Sequence, residues 1–174
     1  MELLDIMLNR RSVRQYTGEH IPGETLEKIL QAGLAAPSGR GRQPWELIVV
    51  QKKETLQKLS ECRVGSAKML AQADCAIVVV ADPEEQDVWT EDCSIVMAYM
   101  HLMADSLGVG SCWIQGRLRE APDGGSTEDY VRACVGFPKT YRLEAILSLG
   151  MPEKHPVKHH ADQLPMGKVH LERF

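Results

Sequence analysis

The run Ala76-Ile77-Val78-Val79-Val80-Ala81 constrains this chain more than any other stretch. It has strand length and β-branched composition, and no polar residue alternates within it. A strand with one wet face would alternate, so this one is covered on both sides. The chain is therefore expected to fold in layers, a sheet lying between helices. Asp82-Pro83 ends the strand.

Three other segments read as strands: Trp45–Val50, Ser111–Ile114, and Glu144–Leu149 closed by Gly150. Apolar residues at helical spacing predict a short helix over 2–9, through Leu3, Leu4, Met7 and Leu8. A second helix spans Glu24–Ala35, with Leu26, Ile29, Leu30, Gly33 and Leu34 on its buried side. Further helices are expected at Glu54–Glu61, near Ser66–Gln72, and at Thr127–Val135. The longest, Trp89–Leu107, is apolar around more than one face, which puts it at the centre of the fold or against a second subunit. Two helices precede the first strand, so the order is not that of a doubly wound nucleotide fold. Neither GxGxxG after a strand nor GxxxxGK[ST] occurs.

At 174 residues the chain forms one domain with a real core. From Met151 to Phe174 it turns polar and loses its apolar period, as a surface tail or an arm reaching a partner would. The net charge of -4 argues against a general nucleic-acid binder. No apolar run approaches the ~18 residues of a membrane span, and the start does not read as a signal peptide. The cysteines, 5 in number, include no CxxC pair, a pattern of reduced thiols rather than disulfides or a zinc site. A cytoplasmic protein is expected.

Against this acidic balance, Arg10-Arg11-Ser12-Val13-Arg14 gathers three guanidinium groups and a hydroxyl. Guanidinium forks match phosphate oxygens, and three so close repel unless an anion joins them. The alternative is a solvated basic loop. A second piece, Ala36-Pro37-Ser38-Gly39-Arg40-Gly41-Arg42-Gln43-Pro44-Trp45, cannot continue the helix before it and must be a loop heading a strand. With the order of elements, the Gly108-Val109-Gly110 turn and Leu149-Gly150 closing the last strand, these pieces resemble the nitroreductase family of FMN-dependent oxidoreductases. The resemblance covers nearly the whole chain.

The family resemblance implies an α+β, three-layer fold, its central sheet mostly antiparallel and flanked by helices, forming a homodimer with FMN at each subunit interface. It implies that Arg10 and Ser12 hold the FMN phosphate, while Arg14 reaches the pyrimidine edge of the ring. Arg11 points instead to solvent or a salt bridge. Pro37, Ser38, Gly39, Arg40 and Gln43 would contact the ring from the neighbouring subunit. Many relatives carry asparagine where this chain has Gly41, so that amide contact is lost, and Arg40 or Arg42 could replace it. Ile114, Gln115 and Gly116 fall beside flavin N5, where a backbone N–H of Gln115 or Gly116 would donate. Some relatives have glutamate at Gln115. Gly150 and a basic tail residue complete the phosphate pocket; Lys154, Lys158 and Lys168 are the candidates, and the sequence does not choose among them.

No metal is implied: His155, His159 and His160 read as a solvated tail interrupted by Pro156. Cys112 reads as a small buried side chain rather than a redox thiol. No nucleophile–base pair or paired carboxylates stand out, which suits an enzyme whose flavin carries the chemistry. The function implied is hydride transfer from NADH or NADPH through FMN to a nitroaromatic, quinone or enone. The partners are a second identical subunit and this small-molecule acceptor, not nucleic acid or membrane. An FMN carrier or sensor with little turnover is the reading from another class. It draws on the scant sequence between Ala81 and Trp89, and between Trp113 and Tyr130, for a lid over the ring.

Overall fold

A computed structural model describes residues 2–65 and 67–174. In chain order the elements are α1 (Leu3–Asn9), α2 (Gly23–Leu34), β1 (Trp45–Val50), α3 (Lys53–Leu59), β2 (Cys75–Ala81), α4 (Trp89–Ser106), β3 (Gly110–Gln115), α5 (Thr127–Val135) and β4 (Arg142–Gly150). The strands form one sheet in the order β1-β2-β4-β3, antiparallel throughout. Every residue of β2 is buried, as its unbroken apolar composition requires. Its partner β4 is buried after the first residue, and the register shift opposite Val79/Val80 leaves Glu144 as an extra residue in that strand.

The two faces of the sheet hold separate apolar layers. Ile77, Val79, Ala145 and Leu147 pack against Ile29 of α2 and Val96, Met97 and Met100 of α4. On the other face, Val78, Val80 and Ile146 meet Leu56 and Leu59 of α3, Leu70, and Val131 of α5. This is the three-layer α+β arrangement. Helix α2 lies close on α4 because Gly33 has no side chain; a Cβ there would stand 2.7 Å from Met100 Cγ. Helix α5 starts at Ser126, whose hydroxyl accepts from Asp129 N at 3.0 Å, and stops at Gly136, left-handed at φ 78°.

Several expectations shift. The helix expected near Ser66–Gln72 is a 3-10 turn over Lys68–Ala71, and Ser66 lies outside the described residues. Leu34, the last residue of α2, is exposed rather than buried. Helix α1 forms where its spacing predicts, but this chain covers little of its stripe: Leu3 is 65% exposed and Leu4 57%. The tail divides in two. Residues 151–159 run antiparallel to 8–17, through Thr17 N to Met151 O at 2.9 Å, Glu153 N to Gln15 O at 3.2 Å and His159 N to Leu8 O at 2.8 Å. From His159 to the end all residues are exposed. Among the described residues no helix is long and apolar enough to cross a membrane.

Candidate active site

β3 is an edge strand, and what its open edge offers is set by the ladder. In an antiparallel pair, alternate residues turn both backbone groups toward the partner strand and the rest turn both away. Gly116 N donates to Glu144 O at 3.1 Å, so the even positions face β4. Ser111, Trp113 and Gln115 therefore present N–H and C=O to the open side. Two contacts agree: Ser111 O accepts from Val13 N at 2.9 Å, and Gln115 O accepts from Arg63 Nη1 at 3.2 Å. Of the two backbone donors expected near N5, Gly116 is already engaged, and only Gln115 N–H faces outward. Ile114 turns its N–H to β4 and its side chain into the core, 1% exposed.

The arginine-rich segment is fastened at the start of this edge. Ser12 pairs with Ser111 in a parallel bridge. Tyr16 OH lies 3.0 Å from Val13 O and 2.7 Å from Ser148 Oγ, tying the segment to β4. Burial pushes the Tyr16 pKa well above the usual phenol range, so it stays a neutral donor. Two glycines permit the close approach. A Cβ on Gly110 would lie 2.8 Å from Val13 Cγ1, and one on Gly150 would lie 2.6 Å from Tyr16 Cγ. Gly150 thus seats Tyr16.

Arg10 Nη1 lies 3.0 Å from Nε2 of His101, a buried residue of α4. A guanidinium can only donate, so His101 accepts at Nε2 and its Nδ1–H is turned to Ser111 Oγ. Burial, then the Arg10 charge, pushes the His101 pKa down to about 4, against a smaller upward pull from Asp105. The imidazole is neutral at pH 7. Arg14, Ser12 and Lys154 line one cavity of about 440 Å³, with Val13, Gln15 and Pro156. Of the three tail lysines, the fold brings Lys154 to the cluster. Cys112 sits among Arg14, Ser12 and Arg10; burial raises its thiol pKa while these three pull it back. Arg11 forms no salt bridge among the described residues, and donates to Val157 O, binding the tail.

The other expected ring contacts lie elsewhere. The Pro37–Gln43 loop leads into β1, at the opposite edge of the sheet, three strand spacings or about 14 Å from β3. It is firmly shaped. Gly39 N donates to Asp92 Oδ1 at 2.8 Å, Gln86 Nε2 donates to Gly39 O at 2.7 Å, and Gln43 N donates to Ser38 Oγ at 2.9 Å. Arg40, Gly41 and Gln43 are left-handed, with φ of 56°, 66° and 50°. One chain does not bring Ser38, Gly39, Arg40 and Gln43 to Arg10, Ser12 and Arg14.

The sequence profile described as the nitroreductase family matches residues 7–65 and 61–151, taking in both arginine-bearing segments and all four strands. The chain belongs to the nitroreductase family. The nitroreductase fold is matched at a TM-score of 0.95 by the structure of an FMN-dependent nitroreductase from Clostridium difficile R20291, 41% identical, over 98% of this chain and 99% of that one. An Archaeoglobus fulgidus protein, whose name proposes an NADH dehydrogenase/NAD(P)H nitroreductase, is 35% identical over 99% of both chains. The NADH dehydrogenase of Thermus thermophilus is 27% identical over 95% of this chain and 93% of its own length.

Four residues that shape this edge and the Pro37–Gln43 loop escape a reading of the sequence. His101 is signalled only as a polar residue inside an apolar helix, and Asp92 and Gln86, which hold Gly39, carry no pattern at all. The fourth, Arg63, is an isolated cation between elements; nothing in the sequence ties it to Gln115.

Proposed function

We propose that this nitroreductase-family chain binds FMN along the open edge of β3 and uses it to pass electrons from NADH or NADPH to a small oxidised acceptor. The observation that carries this reading is that Ser12, Arg14 and Lys154 line one cavity, and Arg10, beside His101, lies with Ser12 and Arg14 around Cys112, at one end of an edge whose backbone groups face outward. None of the three cations is paired with a carboxylate among the described residues. Arg10 instead rests on a neutral imidazole, which leaves its full charge for an anion. This donor set fits a phosphate monoester. Further along the edge, Gln115 N–H supplies a donor for a ring nitrogen, as the family resemblance leads one to expect.

FMN, when bound, supplies the two-electron chemistry; the chain holds, orients and shields it. Arg10, Ser12 and Lys154 hold the phosphate; Arg14, which the family resemblance sends to the pyrimidine edge of the ring, joins them because it lines the same cavity as Ser12 and Lys154. Arg11 keeps the tail over them by binding Val157 O. Glu144 and Gln115 set the far end: Gln115 Nε2 lies 3.3 Å from Glu144 Oε1, and Gln115 Oε1 accepts from Trp113 Nε1 at 2.8 Å. Burial raises the Glu144 pKa. The Clostridium difficile relative is called FMN-dependent and the Thermus thermophilus relative an NADH dehydrogenase, which supports both cofactors. The acceptor class, a nitroaromatic, quinone or enone, follows the family resemblance.

A homodimer belongs to the same proposal. The chain acts as a single domain over 1–174, with 151–174 its arm or tail, and ring contacts from the Pro37–Gln43 loop need a second copy, because within one chain that loop sits at the wrong edge. Leu3, Ile6 and Met7 of α1 with Tyr99, Leu102 and Met103 of α4 line an apolar groove of about 280 Å³ suited to that contact. All five cysteines are free, in keeping with a cytoplasmic setting.

The test is purification with added FMN, followed by anaerobic mixing with NADH and NADPH. Co-eluting flavin that either nicotinamide bleaches is the expected result. Colourless protein that takes up no FMN overturns the reading. Bound FMN that neither donor reduces leaves a carrier or sensor instead.

A further inference from the structure

We infer that Arg63 is a flavin-contacting residue, the cation that meets the ring edge beside Gln115. The inference rests on the FMN reading above and adds a residue to it. Arg63 follows α3, where Cys62 is fully buried and Val64 N donates to Glu120 O at 3.0 Å, so the backbone on both sides is fixed. Its Nη1 donates to Gln115 O at 3.2 Å, and its buried Nε has no partner. It forms no salt bridge among the described residues; the adjacent Glu61 is taken by Lys68 at 2.5 Å.

A guanidinium has five N–H donors in a fixed plane. Arg63 is half-buried and spends one Nη1 hydrogen on Gln115 O, so its Nε is enclosed while its remaining Nη donors stay open to an acceptor. The place of that acceptor follows from the ladder. Gln115 C=O and N–H point to the same open side, so Arg63 stands beside the N–H proposed to meet the ring. In the isoalloxazine ring, N5 is flanked by a carbonyl, and a ligand giving N5 to Gln115 brings that carbonyl toward Arg63. Negative charge on the pyrimidine half grows when the ring takes up two electrons. A cation there therefore favours the reduced ring over the oxidised one.

Spacing along the strand supports the division of labour. Ser111, where the Arg10–Arg14 segment docks, and Gln115 are four residues apart, about 13 Å of extended strand. A phosphate at one end and a ring at the other suit an elongated mononucleotide, with separate cations serving each.

The experiment compares Arg63→Gln and Arg63→Lys with the wild-type holoprotein, measuring the FMN midpoint potential against reference dyes and the affinity for oxidised FMN. Arg63→Gln is expected to loosen reduced FMN at least about tenfold more than oxidised FMN, lowering the potential by about 30 mV for each factor of ten. Arg63→Lys should recover part of that loss. An unchanged potential in FMN-loaded Arg63→Gln overturns the inference while leaving FMN binding intact. Should Arg63→Gln fail to fold, the wild type decides. FMN should protect Arg63 from phenylglyoxal in a mass-resolved comparison of loaded and unloaded protein, and equal modification overturns the inference. A wild type that takes up no FMN overturns it together with its parent reading.

Discussion

Arg10 leans on His101: its Nη1 reaches the imidazole Nε2 at 3.0 Å, and the other ring nitrogen is turned to Ser111 Oγ. The contact works only while His101 is neutral, because a protonated ring has no acceptor. The ring's pKa falls from 6.5 to about 4, chiefly through burial and then through Arg10. The unfolded chain therefore binds this proton first, near pH 6.5, and the folded chain only near 4. Stability contributed by the neutral ring is fully present above pH 6.5 and is lost as pH falls from there toward 4, by on the order of 3 kcal/mol. His101→Gln keeps a carbonyl acceptor for Arg10 without a titrating group. Urea denaturation at stepped pH should show a shallower decline for His101→Gln than for the wild type; parallel declines would count against the assignment.

Arg10→Ala removes a charge-assisted donor from the proposed phosphate end without touching β3. Such a bond contributes about 1.5–3 kcal/mol, so FMN affinity should fall by about ten- to a hundredfold. Fluorescence titration with FMN reads this directly. Riboflavin, which lacks the phosphate, supplies the control: its affinity should change little. Equal losses for both ligands would place Arg10 away from the phosphate.

Gly150→Ala tests how the cluster is seated. The added Cβ would stand 2.6 Å from Tyr16 Cγ and Cδ1, contacts the buried ring cannot absorb without moving. Moving it breaks the 2.7 Å contact with Ser148 Oγ and the 3.0 Å contact with Val13 O. Overpacking of this kind costs about 1–3 kcal/mol. Thermal unfolding should show the loss, and weaker FMN binding should accompany it because Val13 carries Ser12 with it. A variant as stable as the wild type would mean that Tyr16 has room the structure does not show.

The layered fold was legible because one segment, Ala76–Ala81, can be satisfied only between two covered faces, and because the flanking helices keep their period. Arg10, Ser12 and Arg14 were legible as a charge anomaly in an acidic chain. What escaped detection acts through geometry rather than residue type. Gln115 rather than Gly116 faces the open edge because of ladder parity, which a sequence does not display until its register is known. Leu34 and the α1 stripe read as core, since apolar spacing marks a face for burial without saying which chain buries it. His101 and Arg63 lie 91 and 52 residues from their respective partners, Arg10 and Gln115, too far for any local pattern.

Asp105 ties three elements together with one carboxylate. Its Oδ2 accepts from Asn9 Nδ2 at 2.7 Å and its Oδ1 lies 2.8 Å from His155 Nε2, with the Asp105 side chain only 4% exposed. The end of α1 and the start of the tail are thus both held to α4. Asp105→Ala leaves the Asn9 amide without its acceptor, a cost of about 1–3 kcal/mol, and releases the tail as well. His155→Ala releases only the tail, because the Asn9 contact survives. Trypsin should therefore cut after Lys154 and Lys158 faster in both variants, while only Asp105→Ala loses substantial stability. Because Lys154 lines the proposed phosphate cavity with Ser12 and Arg14, both variants should also release FMN faster. Tail cleavage without faster release would separate the tail from cofactor retention and leave Lys154 a bystander.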